Sequence, residues 1–344
     1  MGNAELKQRM KEFAIAEGAD LVGVAPVEYY SDYRAEMDRR MEETGASYTD
    51  FMMPDSDRNF PERLSSAKNA LPTAKAIIVL AVYVYDEDAV YENTEGELRG
   101  KTARTYSYYP VIRQLAEKLT AFIQDLGYSA THGQDVPLKY VADRIGLGCY
   151  GKNGVLLTEK YGSFVGLRNV LTDAPLEPDE LPRLSLCQHC DRCLEECPTG
   201  ALYAPYKVNP QLCLNPITRR EKYIAPEMRS KMQNWISGCD VCQEVCPANQ
   251  DLKPRKYDPR SGFYPEHHSS HRNLGGLEKT PGLLDLLSPD HPDIIRRNAA
   301  IALGNTGNVL HLMETLNSLK IQIENTDEEL RDYFSWAMEK LSKF

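Results

Sequence analysis

The chain has 344 residues, nine cysteines and a formal charge of −10, with 42% hydrophobic residues. That is apolar matter enough for a sizeable core, and length enough for about two or three domains. The acidic balance argues against nucleic-acid binding by the surface as a whole, though not by a local basic patch, and no apolar run reaches the length needed to span a bilayer.

The polar start, Met1-Gly-Asn-Ala-Glu-Leu-Lys, is unlike a secretory signal, so a cytoplasmic protein is expected. Leu6, Met10, Phe13, Ala14 and Ala16 fall on or near one side of a helix over residues 4–17. Asp20-Leu-Val-Gly-Val-Ala-Pro26 reads as a short strand, and residues 30–66 as polar helices and loops. Ala76-Ile-Ile-Val-Leu-Ala-Val-Tyr-Val-Tyr85 has the β-branched, apolar content of a central buried strand. A helix is predicted from Pro110 to Leu126, with Ile112, Leu115, Leu119 and Phe122 on one face, and a shorter one from Leu138 to Ile145. Glycines end it in Gly146-Leu-Gly-Cys-Tyr-Gly-Lys-Asn-Gly154. Gly146, Gly148, Gly151 and Gly154 would allow left-handed torsions and the close approach of a large flat ligand, and such a loop can offer N–H groups to a phosphate. A plain strand–turn–helix junction has the same look. Cys149 inside it is a reactive thiol, a cofactor ligand or a small buried hydrophobe. Strand-like Gly154-Val-Leu-Leu-Thr and Phe164-Val-Gly-Leu-Arg-Asn-Val-Leu follow, so residues 1–180 alternate helix and strand.

The other eight cysteines form two arrays, each ending in Cys-Pro: Cys187-Gln-His-Cys190-Asp-Arg-Cys193-Leu-Glu-Glu-Cys197-Pro198, and Cys213 followed after a gap by Cys239-Asp-Val-Cys242-Gln-Glu-Val-Cys246-Pro247. The first is the run that holds cubane iron–sulfur clusters in bacterial ferredoxins, where the Cys before Pro crosses to the other cluster. By that rule one 4Fe–4S cluster takes Cys187, Cys190, Cys193 and Cys246. The other takes Cys239, Cys242 and Cys197, with Cys213 in place of the ligand that Ile236 cannot supply. Structural zinc uses paired Cys/His sets and disulfides need a secreted chain; neither fits this spacing. Two clusters have one common use, the movement of single electrons.

Residues 256–282 read as a polar linker, in which His267, His268 and His271 are solvated or bind a metal. From residue 283 the pattern is helical. Pro292 to Gly307 and Asp327 to Leu341 share an Arg near the start and an Ala-containing apolar stripe, as in HEAT repeats. The expected fold class is α+β: an α/β sandwich-like domain over 1–180, a ferredoxin-like double-cluster module over 181–255, the linker, and short HEAT-like helices over 283–344.

With these motifs in hand, the chain resembles the epoxyqueuosine reductases and the related reductive dehalogenases over nearly its whole length. Ala142-Asp-Arg-Ile-Gly-Leu-Gly-Cys-Tyr-Gly-Lys-Asn-Gly is similar to the family's Ala-x-x-Ala-Gly-Leu-Gly-x-x-Gly-Lys-Asn signature, and Trp235-Ile-Ser-Gly-Cys-Asp-Val-Cys-Gln-Glu-Val-Cys-Pro247 to its second cluster motif. The resemblance implies cobalamin in the N-terminal domain, lined by Gly146, Leu147, Gly148, Cys149, Gly151, Lys152, Asn153 and Gly154. It implies two clusters that reduce cobalt to Co(I), and an acid that gives a proton as the epoxide of a tRNA wobble base becomes an alkene. The family's Asp-x-x-Pro segment is matched only loosely by Gln134-Asp135-Val-Pro137, which makes Asp135 the candidate acid or else a helix cap. Tyr106 is the second candidate, by analogy with the tyrosine donor of the dehalogenases. The expected partners are an electron donor such as flavodoxin or ferredoxin and, through Arg219, Arg220, Lys222, Lys253, Arg255 and Lys256, tRNA. A dehalogenase-like enzyme, a corrinoid reductive activase and a non-catalytic electron carrier are the alternatives.

Overall fold

A computed structural model of the chain describes residues 2–28, 30–46, 66–85, 98–133, 136–187, 189–220, 223–255, 282–306 and 312–343. In chain order the first part holds α1 (Asn3–Ala16), β1 (Leu21–Pro26), α2 (Ser31–Thr44), β2 (Ala76–Tyr83), β3 (Lys101–Thr102), α3 (Arg104–Asp125), β4 (Ala130–His132), α4 (Leu138–Arg144), β5 (Cys149–Tyr150), β6 (Leu156–Leu157) and β7 (Val165–Thr172).

Strands β1, β2, β7 and β4 form one sheet in that order, and every pairing is antiparallel. The mixed helix and strand content is thus α+β in the strict sense. The apolar run of β2 is buried throughout because helices cover both of its faces. Ile78, Leu80 and Val82 pack with Leu6 and Met10 of α1 and with Ile112, Leu115 and Leu119 of α3. Ile77 and Val79, one residue out of step, pack with Val141 and Ala142 of α4 on the other side. The strand expected from Gly154 is a short arm of a hairpin, Cys149 opposite Leu157 and Tyr150 opposite Leu156.

Helix α3 starts at Arg104 rather than at Pro110, which lies inside it. Proline lacks the N–H that would bond one turn back, so a sequence reading places it at a helix start. The early turn exists because its end is capped from far away: Asp240 accepts the Arg104 N–H at 2.9 Å, while Ala103 offers no side-chain cap.

The cysteine region carries α5 (Arg192–Glu195), β8 (Leu202–Ala204), β9 (Lys207–Val208), α6 (Leu214–Ile217), α7 (Pro226–Arg229), β10 (Trp235–Ser237) and α8 (Val241–Glu244). Strand β10 runs parallel to β3, so the second array begins beside the start of α3. Three helices close the chain: α9 (Asp293–Thr306), α10 (Leu312–Glu324) and α11 (Glu328–Leu341). They share one core with Leu214, Met232, Trp235 and Ile236 from the segment between Cys213 and Cys239. Helix α9 shows more than a small-residue face, being buried from Ile294 to Gly304, polar residues included. Asn298 donates to the carbonyls of Thr218 at 2.6 Å and Ile236 at 2.7 Å, and Arg297 to that of Arg220 at 2.8 Å. Asn305 donates to the carbonyls of Arg229 at 2.8 Å and Gln233 at 2.9 Å. Residues 256–281, with His267, His268 and His271, lie outside the described residues. Among the described residues no helix is long and apolar enough to cross a membrane.

Replacing Asn298 by Leu leaves two buried carbonyls without their donor, at roughly 1–3 kcal/mol each. The expected result is a lower denaturation midpoint, with faster amide hydrogen exchange concentrated in 214–237. Unchanged exchange in that segment would refute the role given to Asn298.

Candidate metal centre

The eight array thiols fall into two sets that sense one another electrostatically. Burial pushes the Cys193 thiol up to about 11, and repulsion from Cys187, Cys246 and Cys190 adds to the rise. Cys246 is raised by burial too, with Cys187 and Cys190 adding to it against the N–H of Ala248. In the second set, burial raises Cys242 well above the usual thiol range, and Cys239 and Cys213 raise it further. Burial likewise raises Cys239, whose thiol neighbours are Cys213 and Cys197. Cys213 is pushed up to about 11 by burial and by Cys197, against the Asn215 N–H, Lys139 and Arg220. For Cys197 burial works upward, but the N–H groups of Leu202, Thr199 and Ala201 and the Thr199 hydroxyl outweigh it and hold the thiol below its usual range. Cys242 also feels Cys193, so the two sets lie side by side.

Thiols crowded and buried in this way gain most from a cationic core, which holds its cysteines deprotonated. Among the described residues no three potential ligands converge on one point as they would around a single ion. A cubane holds its thiolates farther apart, around a cube. The donor chemistry and the grouping fit two 4Fe–4S clusters.

The Gly-rich segment is built into the same structure. Gly146, with φ +74°, lies where a Cβ would sit 2.7 Å from both the Cβ and the carbonyl of Leu181; at Gly148 a Cβ would be 2.6 Å from the Leu157 carbonyl. These two glycines are needed for packing within the protein. Leu147 is buried in the core between α4 and the sheet, and Cys149 is buried, its sulfur accepting the Leu186 N–H at 3.4 Å. Lys152 and Asn153 reach the two arrays directly. The Lys152 N–H donates to Cys187 Sγ at 3.3 Å, and its ammonium pairs with Asp191 at 2.7 Å. Asn153 Nδ2 donates to the Cys242 carbonyl at 3.2 Å. Gly151 and Gly154 close the turn between them through a backbone bond of 2.8 Å.

Tyr106 lies against the second array. Its hydroxyl bonds Asn215 and Arg219, and its ring touches Gly238, where a Cβ would be 2.4 Å from Tyr106 Cε2. Burial raises its phenol far above the usual range and keeps it protonated. Asp135 lies outside the described residues. Of the described residues in the expected basic track, Lys253 is exposed and the arginines are engaged within the protein. Arg219 stacks on Tyr106 with its guanidinium carbon 4.5 Å from the ring centre, Arg220 is buried, and Arg255 pairs with Asp20. Lys222 and Lys256 lie outside the described residues.

Three residues that sequence reasoning passed over matter here. Asp240, between Cys239 and Cys242, is buried and takes a second bond from Arg104, Nη1 to Oδ2 at 3.1 Å, and one from Gln243 at 2.7 Å. Arg104 also reaches Glu244 at 3.2 Å, with Phe164 and Tyr85 against its guanidinium at 4.8 and 5.4 Å. A charged residue inside a cysteine motif was the available signal for Asp240; nothing in the sequence marks Arg104 as its partner. Lys139, on the first turn of α4, is exposed and donates to the Gly154 carbonyl at 2.6 Å, while Tyr106, Cys213 and Cys242 are partly accessible.

Fold and site together define a double-cluster iron–sulfur protein. Residues 186–249 match the family model described as a 4Fe-4S double cluster binding domain. The chain is 31% identical to the epoxyqueuosine reductase of Lactococcus garvieae, over 98% of this chain and 96% of that one. A crystal structure of epoxyqueuosine reductase with an epoxyqueuosine-modified tRNA-Tyr stem loop superposes with a TM-score of 0.78 at 26% identity, covering 99% of this chain and all of the other (100%). The Bacillus subtilis enzyme, in a structure described with its catalytic aspartate loop swung out of the active site, gives a TM-score of 0.77 at 25% identity, over 99% of this chain and 100% of that one. The chain belongs to the epoxyqueuosine reductase family.

Breaking the Arg104–Asp240 pair by Arg104→Met is expected to cost about 3–5 kcal/mol, because the carboxylate stays buried without its cation. The double variant with Asp240→Leu should recover part of that loss. Denaturation midpoints of the single and double variants measure both effects, and a neutral single variant would refute them.

Proposed function

We propose that this chain reduces the epoxide of epoxyqueuosine in tRNA, as an iron–sulfur reductase that feeds single electrons through two clusters to cobalamin. The observation that carries this reading is the division of eight thiols into two adjacent sets of four. In this reading Cys187, Cys190, Cys193 and Cys246 hold the first cluster, and Cys197, Cys213, Cys239 and Cys242 the second. A small one-electron donor such as flavodoxin or ferredoxin supplies them. The reading also takes 1–180 as the cobalamin domain, 181–255 as the double-cluster module and 283–344 as HEAT-like helices; the core shared with 214–236 supports the last as a buttress.

In this reading cobalamin sits beside the second set, supported by the exposed Lys139 and the partly accessible Tyr106, Cys213 and Cys242. Cobalamin, when bound, supplies a low-valent metal centre that delivers two electrons to carbon. The protein's share is to hold the modified base, exclude water and provide a proton. Asp135 is our candidate donor, supported by the catalytic aspartate loop of the Bacillus subtilis relative. Tyr106 is the weaker candidate, because its hydroxyl is committed to Asn215 and Arg219.

Anaerobic reconstitution should give about eight irons per chain, four in each cubane. Cys213→Ser should lose the second cluster alone, by iron content and electron paramagnetic resonance. Loss of both clusters, or of neither, refutes the crossed assignment. Asp135→Asn should keep both clusters and lose roughly 10²–10⁴ in turnover of epoxyqueuosine-modified stem loop, the usual contribution of a general acid. Wild-type turnover by that variant would remove Asp135 from the mechanism.

A further inference from the structure

We propose that Arg168 is a substrate-binding residue: its guanidinium takes a backbone phosphodiester of the RNA, beside the segment that leads to Asp135. This rests on the epoxyqueuosine reductase reading above. Arg168 lies on β7, opposite Leu80 of β2. Side chains alternate along a strand, so it shares a face with Gly166 and Val170. Helix α3 covers that face. A Cβ at Gly166 would run into Ile112, and Val170 packs in one core with Ile112, Leu115 and Leu119. The Arg168 guanidinium also packs against Gly133, where a Cβ would sit 2.7 Å from Cζ and 3.1 Å from Nε. Gly133 follows the edge strand β4 and donates its N–H to the Asn169 carbonyl at 3.0 Å. Asp135, the candidate proton donor, comes two residues later in the sequence.

What sets Arg168 apart is the lack of a counter-ion. Among the described residues no carboxylate forms an ion pair with it, and its Nε is buried without a hydrogen-bond partner. Tyr109, Arg113 and Glu117 recur at every fourth position of α3 and form one stripe, which faces Arg168. Glu117 does not neutralise it, because that carboxylate accepts Arg113 Nε at 2.7 Å and stands 3.8 Å from His132 Nε2. Burial and Arg113 hold the Arg168 guanidinium below its usual range. A cation partly out of water, with a second cation near it, favours the arrival of an anion. The side chain is only half-buried, so an anion can reach it from solvent. A planar guanidinium presents a fork of N–H donors that matches a phosphate. Position points to RNA as the source. Tyr106, against the second array, and Tyr109 have ring centres 5.5 Å apart on α3, and Arg168 lies against the next turn. From Tyr106 to Ile112 is about 9 Å along the helix axis. A base held at the second array for reduction therefore leaves its own or an adjoining phosphate within reach of Arg168.

The test is binding of the epoxyqueuosine-modified stem loop to the reconstituted full-length protein, without reductant, by fluorescence anisotropy over a range of salt. Each phosphate contact contributes about 0.7–0.9 to the slope of log affinity against log salt. Arg168→Gln should weaken binding and lower that slope by about the same amount. Arg168→Lys, which keeps a point charge, should restore most of the slope. Iron content and the denaturation midpoint should stay at wild-type values in both variants, because the charge removed has no partner within the protein. An unchanged slope in Arg168→Gln would overturn the proposal; if the midpoint fell as well, Arg168 would be a structural residue. Loss of cobalamin affinity with an unchanged RNA slope would assign the guanidinium to the phosphodiester of the cofactor and overturn the RNA assignment. Wild-type protein that binds no stem loop would overturn the epoxyqueuosine reading itself, and the proposal with it.

Discussion

The buried ion pair between Arg104 and Asp240 joins the sheet domain to the second cysteine array. Ion pairs taken out of water seldom stabilise a fold outright, because desolvation offsets the attraction unless every remaining hydrogen-bonding site is filled. Here the sites are filled. One carboxylate oxygen receives the first N–H of α3 and the Arg104 guanidinium, and the other receives Gln243. What the pair achieves is register. Asp240 sits between two cysteines, so fixing its carboxylate fixes them. Arg104 starts the helix that carries Tyr106, so the same bond sets Tyr106 against Gly238 and the second array. Loss of either partner would release both.

Given that register, the turn at 151–154 spans the two arrays. A polypeptide turn is well suited to this task, because its N–H groups and short side chains reach in opposite directions within a few residues. Lys152 turns an N–H toward Cys187, and Asn153 an amide toward the Cys242 carbonyl. The two thiol sets are then held at one fixed separation by a segment rooted in the sheet domain. Electron transfer between centres falls steeply with distance, so a rigid spacer contributes directly to the proposed function. The same segment explains why the strand expected after Gly154 is a brief hairpin arm: its outer residues serve the cysteines rather than the sheet.

Local signals were legible in the sequence where local physics decides. The apolar run of β2, the amphipathic stripe of α1 and the cysteine spacings each state their own structure, and the crossing rule of ferredoxins supplies the ligand sets we propose. What stayed hidden depends on residues far apart. The start of α3 was misplaced because its cap comes from Asp240, 136 positions away, and the proline inside it is a strong local signal for a boundary. The glycines of 146–154 suggested close approach to a ligand, whereas Gly146 and Gly148 make room for residues 181 and 157. The basic residues near the arrays read as a phosphate track, yet Arg219 and Arg220 turn inward. Charge is visible in a sequence, but the direction a side chain points is not.

The C-terminal helices solve a problem created by the cysteines. Cys213 has left the compact motif of a ferredoxin, and the segment that connects it to Cys239 is irregular, with short helical turns and one three-residue strand. Irregular backbone exposes carbonyl groups that no ladder satisfies, and burying them without donors is costly. Helix α9 supplies the donors as side chains, and this is why it is buried on every face while carrying Arg297 and Asn298 in its interior. Asn298 bridges Thr218 and Ile236, and the Thr218 hydroxyl in turn accepts the Gly238 N–H at 2.7 Å, one residue before Cys239. A continuous chain of hydrogen bonds thus runs from the tail to the second array. The helices need not form a free-standing repeat domain to be indispensable. Their polar interior is the complement of a detached ligand, so the position of Cys213 and the presence of α9 are two parts of one structural device.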